Sequence, residues 1–263
     1  MARGGSRRIT PAPVAVLSAI GIAFLAVPVL ALVVRAPWSE IGEKLAASGA
    51  WVAFRLSLVV SLTAAALSFV LGVPIAWVLA RSSFPGRALV RALVILPLVL
   101  PPVVGGVALL TALGRSGVVG SWLYDLGIQL TFTTAGAVLA TTFVSIPLVI
   151  LSAEGGLRSL DPRYEQAAAA MGASRMHTLR RVTLPMLRPQ LAAGLVLAWA
   201  RALGEFGATI TFAGNLAGRT QTLPLAVYEA RQTDPGAAVA ASLLLVALSL
   251  VVLVAMRDRI FGR

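Results

Sequence analysis

LSLVVSLTAAALSFVLGVPIAWVLA, residues Leu56–Ala80, runs for 25 positions without one charged side chain. At about 1.5 Å per residue, a helix of that length exceeds the roughly 30 Å of hydrocarbon in a bilayer. Similar apolar runs occupy Val14–Val34, Ala88–Leu113, Thr133–Ala153, Gln190–Phe212 and Ala237–Met256. The pattern predicts an all-α polytopic membrane protein with about six transmembrane helices. Residues 14–256 read as one membrane domain between two basic tails, 1–13 and 257–263, and no aqueous domain is inserted.

Composition supports this. Hydrophobic residues make up 58% of the 263 and charged residues 12%, against about 45–50% and 25% in soluble domains. A soluble fold of this size has no interior large enough for that apolar surface. The excess comes from Ala, Val and Leu, which suit helices.

The net charge of +12 is spread in clusters between the apolar runs, which points to membrane topology and not to nucleic acid. One side would hold Arg3, Arg7 and Arg8; Arg81, Arg87 and Arg91; Arg158, Arg163, Arg175, Arg180, Arg181 and Arg188; and Arg257, Arg259 and Arg263. The other holds only Arg35, Lys44, Arg55, Arg115, Arg219 and Arg231. Basic residues gather on the cytoplasmic side, so both termini are expected in the cytoplasm. Val14–Val34 is longer than the apolar core of a signal peptide and is expected to stay as a helix.

The chain has no cysteine and one histidine, His177. Thiolate chemistry and histidine metal clusters are therefore absent. The only lysine, Lys44, lies in Gly-Glu-Lys-Leu, so no Walker A loop exists to cradle ATP. His177 has only Ser174 nearby and reads as a surface group, not a catalytic base. No catalytic, metal or cofactor site is expected in this chain.

Several runs are broken by proline: Pro74, Pro147, and Leu96-Pro97 followed by Leu100-Pro101-Pro102. Inside a membrane such breaks either kink packed helices or line a gated path.

The longest inner segment, Glu154–Pro189, is the most informative. Asp161-Pro162 is a helix start, Tyr164–Met171 a run of helix formers and Gly172 a stop. Ser174 is placed to cap a second short helix, Arg175 to about Leu184, closed by Pro185. Glu165, Ala168 (or Ala169) and Gly172 share one side at helical spacing. That side is nearly flat and suits either the close approach of another protein or plain surface.

The segment resembles the EAA motif of the permeases of ABC importers. Ala167-Ala168 are in register, and Gly172 and Leu184-Pro185 match. Gln166 stands where the family has Glu, with Glu165 one place before it. The resemblance implies a coupling helix seated in a groove of an ATP-binding cassette subunit, with Glu165, Gln166, Ala167, Ala168, Gly172, Ala173, Arg175, Leu184 and Pro185 at the contact. A second stretch, Ala200–Ile210 with Gly204-Glu205-Phe206-Gly207-Ala208-Thr209, resembles the molybdate and sulfate permeases, most of all the molybdate branch. Gly214-Asn215 and Gln221–Tyr228 extend that likeness.

What this implies is a type I ABC-importer permease of a bacterial cell membrane, importing molybdate or tungstate. Its partners would be a separate subunit that binds ATP-Mg, an extracytoplasmic oxyanion-binding protein, a second copy of the chain, and lipid. Sulfate or thiosulfate is the alternative cargo. An ion-coupled secondary transporter would call for more intramembrane carboxylates than Glu205.

Arg201 and Glu205, four apart in the fifth run, are expected to meet on one helix face. They either neutralise each other or serve a passing oxyanion. Gly204, Phe206, Gly207 and Thr209 either line the path or let helices approach closely. Small residues in Ala192-Ala193-Gly194 and Gly204 suit close helix contacts.

Overall fold

The computed structural model describes residues 11–260, with side chains to 254. The tail arginines Arg3, Arg7, Arg8, Arg257, Arg259 and Arg263, which carry part of the orientation argument, lie outside the described side chains. No strand occurs among the described residues. The helices are α1 (Ala12–Val34), α2 (Ile41–Ala47), α3 (Ala50–Arg81), α4 (Arg87–Val99), α5 (Pro102–Leu113), α6 (Gly120–Asp125) and α7 (Thr134–Ser159). They continue as α8 (Pro162–Ala170), α9 (Arg175–Thr178), a π turn (Leu179–Thr183), α10 (Leu184–Leu203), α11 (Gly207–Phe212), α12 (Leu223–Thr233) and α13 (Pro235–Ile260).

The centre of the bundle is α3, α7 and α10. Ser68 Oγ lies 3.0 Å from Ser145 Oγ, 77 positions on, and a Cβ on Gly72 would meet Val149, again 77 on, at 3.3 Å. A constant offset means that α3 and α7 run parallel and in register. α10 runs antiparallel to both. Gly194 packs on Ser152, Gly156 on Gln190 and Leu187, and Trp199 Nε1 donates to Ser61 Oγ at 3.0 Å. The seams are built from Gly, Ala and Ser, which let backbones approach where lipid supplies no hydrophobic drive between helices. Larger side chains fill one end, where Leu79, Ile150, Leu157 and Leu187 form a core beside the α7–α8 corner.

Two expected spans are not single helices. Parallel α3 and α7 oblige the chain between them to return along the bundle, and α4 and α5 do so with a 120° bend. The bend falls at Leu100, extended (φ −65°, ψ 137°) as the residue before a proline prefers. The fifth expected run, Gln190–Phe212, divides at Gly204–Phe206 into α10 and α11. Among the described residues α1, α3, α7 and α13 are long and apolar enough to cross a bilayer alone, and α4 with α5 counts as a fifth candidate when the bent pair is taken as one span. α10 carries Arg188 and Arg201 and is held between α3 and α7. α1 buries none of its residues.

Candidate coupling and translocation sites

The segment expected as the loop Glu154–Pro189 is shorter than that. α7 continues to Ser159 and α10 begins at Leu184, so an elbow of residues 160–183 remains. Asp161 Oδ1 accepts the Arg163 N–H at 2.9 Å and starts α8. Gly172 ends it in the left-handed region (φ +81°), which glycine enters without strain. Ser174 Oγ accepts the His177 N–H at 3.3 Å and starts α9. Pro185 does not close this helix. It sits in the first turn of α10, and the wider π turn before it relieves the clash between a proline ring and the preceding turn's carbonyl.

Glu165, Ala168 and Gly172 do not form one open face. Glu165 Oε1 accepts Arg81 Nη2 at 3.0 Å and Thr183 Oγ1 at 3.0 Å, and Ala168 is buried. That side of α8 is seated on the bundle. Gln166, Ala167, Met171, Gly172 and Arg175 are exposed, while Ala173, Leu184 and Pro185 are half-buried.

A second carboxylate escaped the sequence reading. Glu154 is buried and paired with Arg91 of α4 and with Arg158 Nη2 at 2.9 Å, one turn along α7. The Glu154–Arg158 spacing was a readable signal. Nothing in sequence marks Arg91 as its partner.

At the far end of α10 the Arg201–Glu205 pair is formed. Glu205 is almost wholly buried, its side chain 1% exposed, against 31% for Arg201. Its Oε1 also accepts the Ala208 N–H at 2.8 Å and so caps α11. Two groups thus compensate a carboxylate whose burial would otherwise be prohibitive. Arg201 keeps part of its side chain uncovered.

The neighbours divide into two groups. Gly207 and Thr209 are interior: a Cβ on Gly207 would meet Pro102 Cβ at 2.9 Å, and Thr209 Oγ1 lies 3.5 Å from Thr141 Oγ1. From the other side, a Cβ on Gly106 would meet Thr211 Cβ at 2.6 Å. α5 and α11 therefore touch nearly backbone to backbone. Arg201 and Phe206 are half-exposed and Gly204 is exposed. The Phe206 ring packs 5.1 Å from Tyr228. Gly194 makes a close helix contact, a Cβ there meeting Ser152 Cβ of α7 at 2.8 Å.

The end opposite the elbow holds a cleft of about 1020 Å³ between α2, α12 and the start of α13. In it Lys44 Nζ pairs with Asp234 at 2.9 Å and with Glu40 at 3.6 Å. The Asp234 hydrogen bond raises the Lys44 pKa, and the Lys44 hydrogen bond lowers that of Asp234. No group of residues suited to a metal ion occurs among the described residues.

A polytopic helical bundle with a charge-tied elbow at one end and a self-compensated ion pair within it defines an integral membrane transport component. The chain belongs to the family described as the binding-protein-dependent transport system inner membrane component, whose pattern matches residues 72–260. It is 48% identical over 241 residues to the molybdenum transport system permease protein ModB of Mycobacterium tuberculosis, covering 91% of this chain and 90% of that one. It is 37% identical over 228 residues to the sulfate transport system permease protein CysT of Escherichia coli, covering 85% and 82%. Among solved structures it resembles a bacterial ABC transporter for import of the acidic polysaccharide alginate, with TM-score 0.75 at 21% identity over 94% of this chain and 93% of that one. At that identity the match speaks for the fold.

Proposed function

We propose that this chain is the membrane-spanning permease subunit of an ATP-driven importer of molybdate, with tungstate accepted as its near-twin. The carrying observation is the identity to the molybdenum permease, 48% against 37% for the sulfate permease. ATP hydrolysis falls to a separate ATP-binding cassette subunit, which docks on the exposed side of the elbow. An extracytoplasmic binding protein delivers the oxyanion to the opposite end. Both termini lie in the cytoplasm.

Two copies of the chain enclose the path in this reading. An arginine at membrane depth with 31% of its side chain uncovered is costly against lipid and is relieved by a facing copy or a water-filled passage. Arg201, Gly204 and Phe206 then line the path, while Glu205, Gly207 and Thr209 hold their positions from behind.

The test is uptake by the complex with its ATPase and binding protein in liposomes. ATP-dependent molybdate entry that excess sulfate competes with only weakly is expected. Preference for sulfate would give the cargo to the alternative, and uptake indifferent to ATP would remove the importer class.

A further inference from the structure

We infer that Glu165 is a positioning residue, not a docking contact: it ties the elbow to the inner end of α3 and to the foot of α10. The inference rests on the reading of the elbow as the place where an ATPase engages.

Three elements meet at one oxygen. Glu165 Oε1 takes the guanidinium of Arg81, the last residue of α3, and the hydroxyl of Thr183, the last residue of the π turn. Thr183 is wholly buried, so its hydroxyl has no solvent to turn to and losing the bond is costly. The bond from Arg81 is charge-assisted, the stronger kind. Ala168, one turn along α8, is buried on the same side, leaving Gln166 and Ala167 outward.

The π turn gives the tie its mechanical meaning. Its bonds span five residues, as from the Leu184 N–H to Leu179 O, in place of the tighter α pattern, and this wider turn is the compliant link between the elbow and α10. Without the Thr183–Glu165 bond, movement of α8 would be absorbed in that turn. With it, α8 carries the foot of α10 along, and α10 bears Arg201 at its other end, just before Glu205. The Arg81 bond does the same for α3. Push on the elbow thus reaches two helices through a single carboxylate.

The experiment uses the complete complex in liposomes and reads molybdate moved per ATP hydrolysed. Glu165→Gln has the same shape and still accepts the Thr183 hydroxyl, but loses the charge facing Arg81. Expected are undiminished recovery of the ATPase with the permease, hydrolysis within about twofold of the parent, and transport per ATP lower by about tenfold, the scale of one lost charge-assisted bond. Arg81→Gln, which removes the charge from the other side and leaves the Thr183 bond in place, lowers the ratio equally, and the double variant with Glu165→Gln falls no further, a coupling that a plain loss of folding would not give. Loss of the ATPase on purification of Glu165→Gln, or an unchanged ratio, overturns the inference. A parent complex that carries no molybdate strikes the proposed cargo instead, and hydrogen exchange of the membrane-inserted full chain then decides. Amides of residues 163–171 should exchange about tenfold faster in Glu165→Gln and unchanged in Gln166→Ala. No acceleration in Glu165→Gln ends the case for the tie.

Discussion

Glu205 Oε1 accepts the Ala208 N–H at 2.8 Å, so the acid that neutralises Arg201 also holds the first turn of α11. The break in the helix at Gly204–Phe206 is thereby a pinned joint. Removing Arg201 alone leaves a buried carboxylate uncompensated, which costs roughly 3 kcal/mol, the low end for buried pairs because Arg201 is partly exposed. Arg201→Ala should lower the thermal stability of the purified permease accordingly. Arg201→Met with Glu205→Gln should recover most of it, since Gln still accepts the Ala208 N–H. If that stable double variant transports normally, Arg201 has no part in moving the anion.

Gly106 and Gly207 set the contact of α5 with α11. Gly106→Val or Gly207→Val should cost about 1–3 kcal/mol by overpacking. Gly155 is the control, with nothing within 4 Å of an added Cβ. Gly155→Ala should stabilise α7 by about 0.5–1 kcal/mol through helix propensity. Denaturation of the solubilised permease measures both, and equal effects at all three positions would contradict the packing described.

The outward side of α8 is open to a direct probe. Ala167→Trp adds bulk where the side chain is exposed and strains nothing within the chain. It should leave the melting temperature within a few degrees and abolish recovery of the ATPase. Gly172→Val differs, because φ +81° penalises any β-branched residue by about 1–2 kcal/mol. Retention of the ATPase by Ala167→Trp would place docking elsewhere.

The Lys44–Asp234 pair makes the corner between α2 and α13 sensitive to pH at both extremes. The Asp234 pKa is lowered on folding, so its contribution is present above the unfolded value of about 3.9 and fades as pH falls through the folded one. The Lys44 pKa is raised, so its share is complete below the unfolded value of about 10.4 and fades as pH rises through the folded one. Amides at the start of α13, corrected for intrinsic exchange, should open faster below about pH 3.9 than at neutrality. Asp234→Asn should remove that acid response, and its persistence would assign it to other carboxylates.

Much of the fold was legible because apolar length is a one-dimensional property. α1, α3, α7 and α13 fall where uncharged runs predict them. The caps at Asp161, Gly172 and Ser174 were equally local and are formed. What failed was tertiary. The spacing of Glu165, Ala168 and Gly172 gave a common side but not its direction, which Arg81 and Thr183 determine from 84 and 18 positions away. Pro185 read as a stop because its lost hydrogen bond was visible, whereas the π turn that accommodates it was not. The division at Glu205 was hidden because an acid beside an arginine reads as a pair on one helix, not as the cap of a second.

The constant offset between α3 and α7 has a mechanical corollary. Seams of small residues interlock like teeth of fine pitch. A slip by one position would drive Val149 off Gly72 and separate Ser68 from Ser145 at the same moment. These two helices therefore shift only as one rigid pair, so that force entering α3 at Arg81 carries α7 with it.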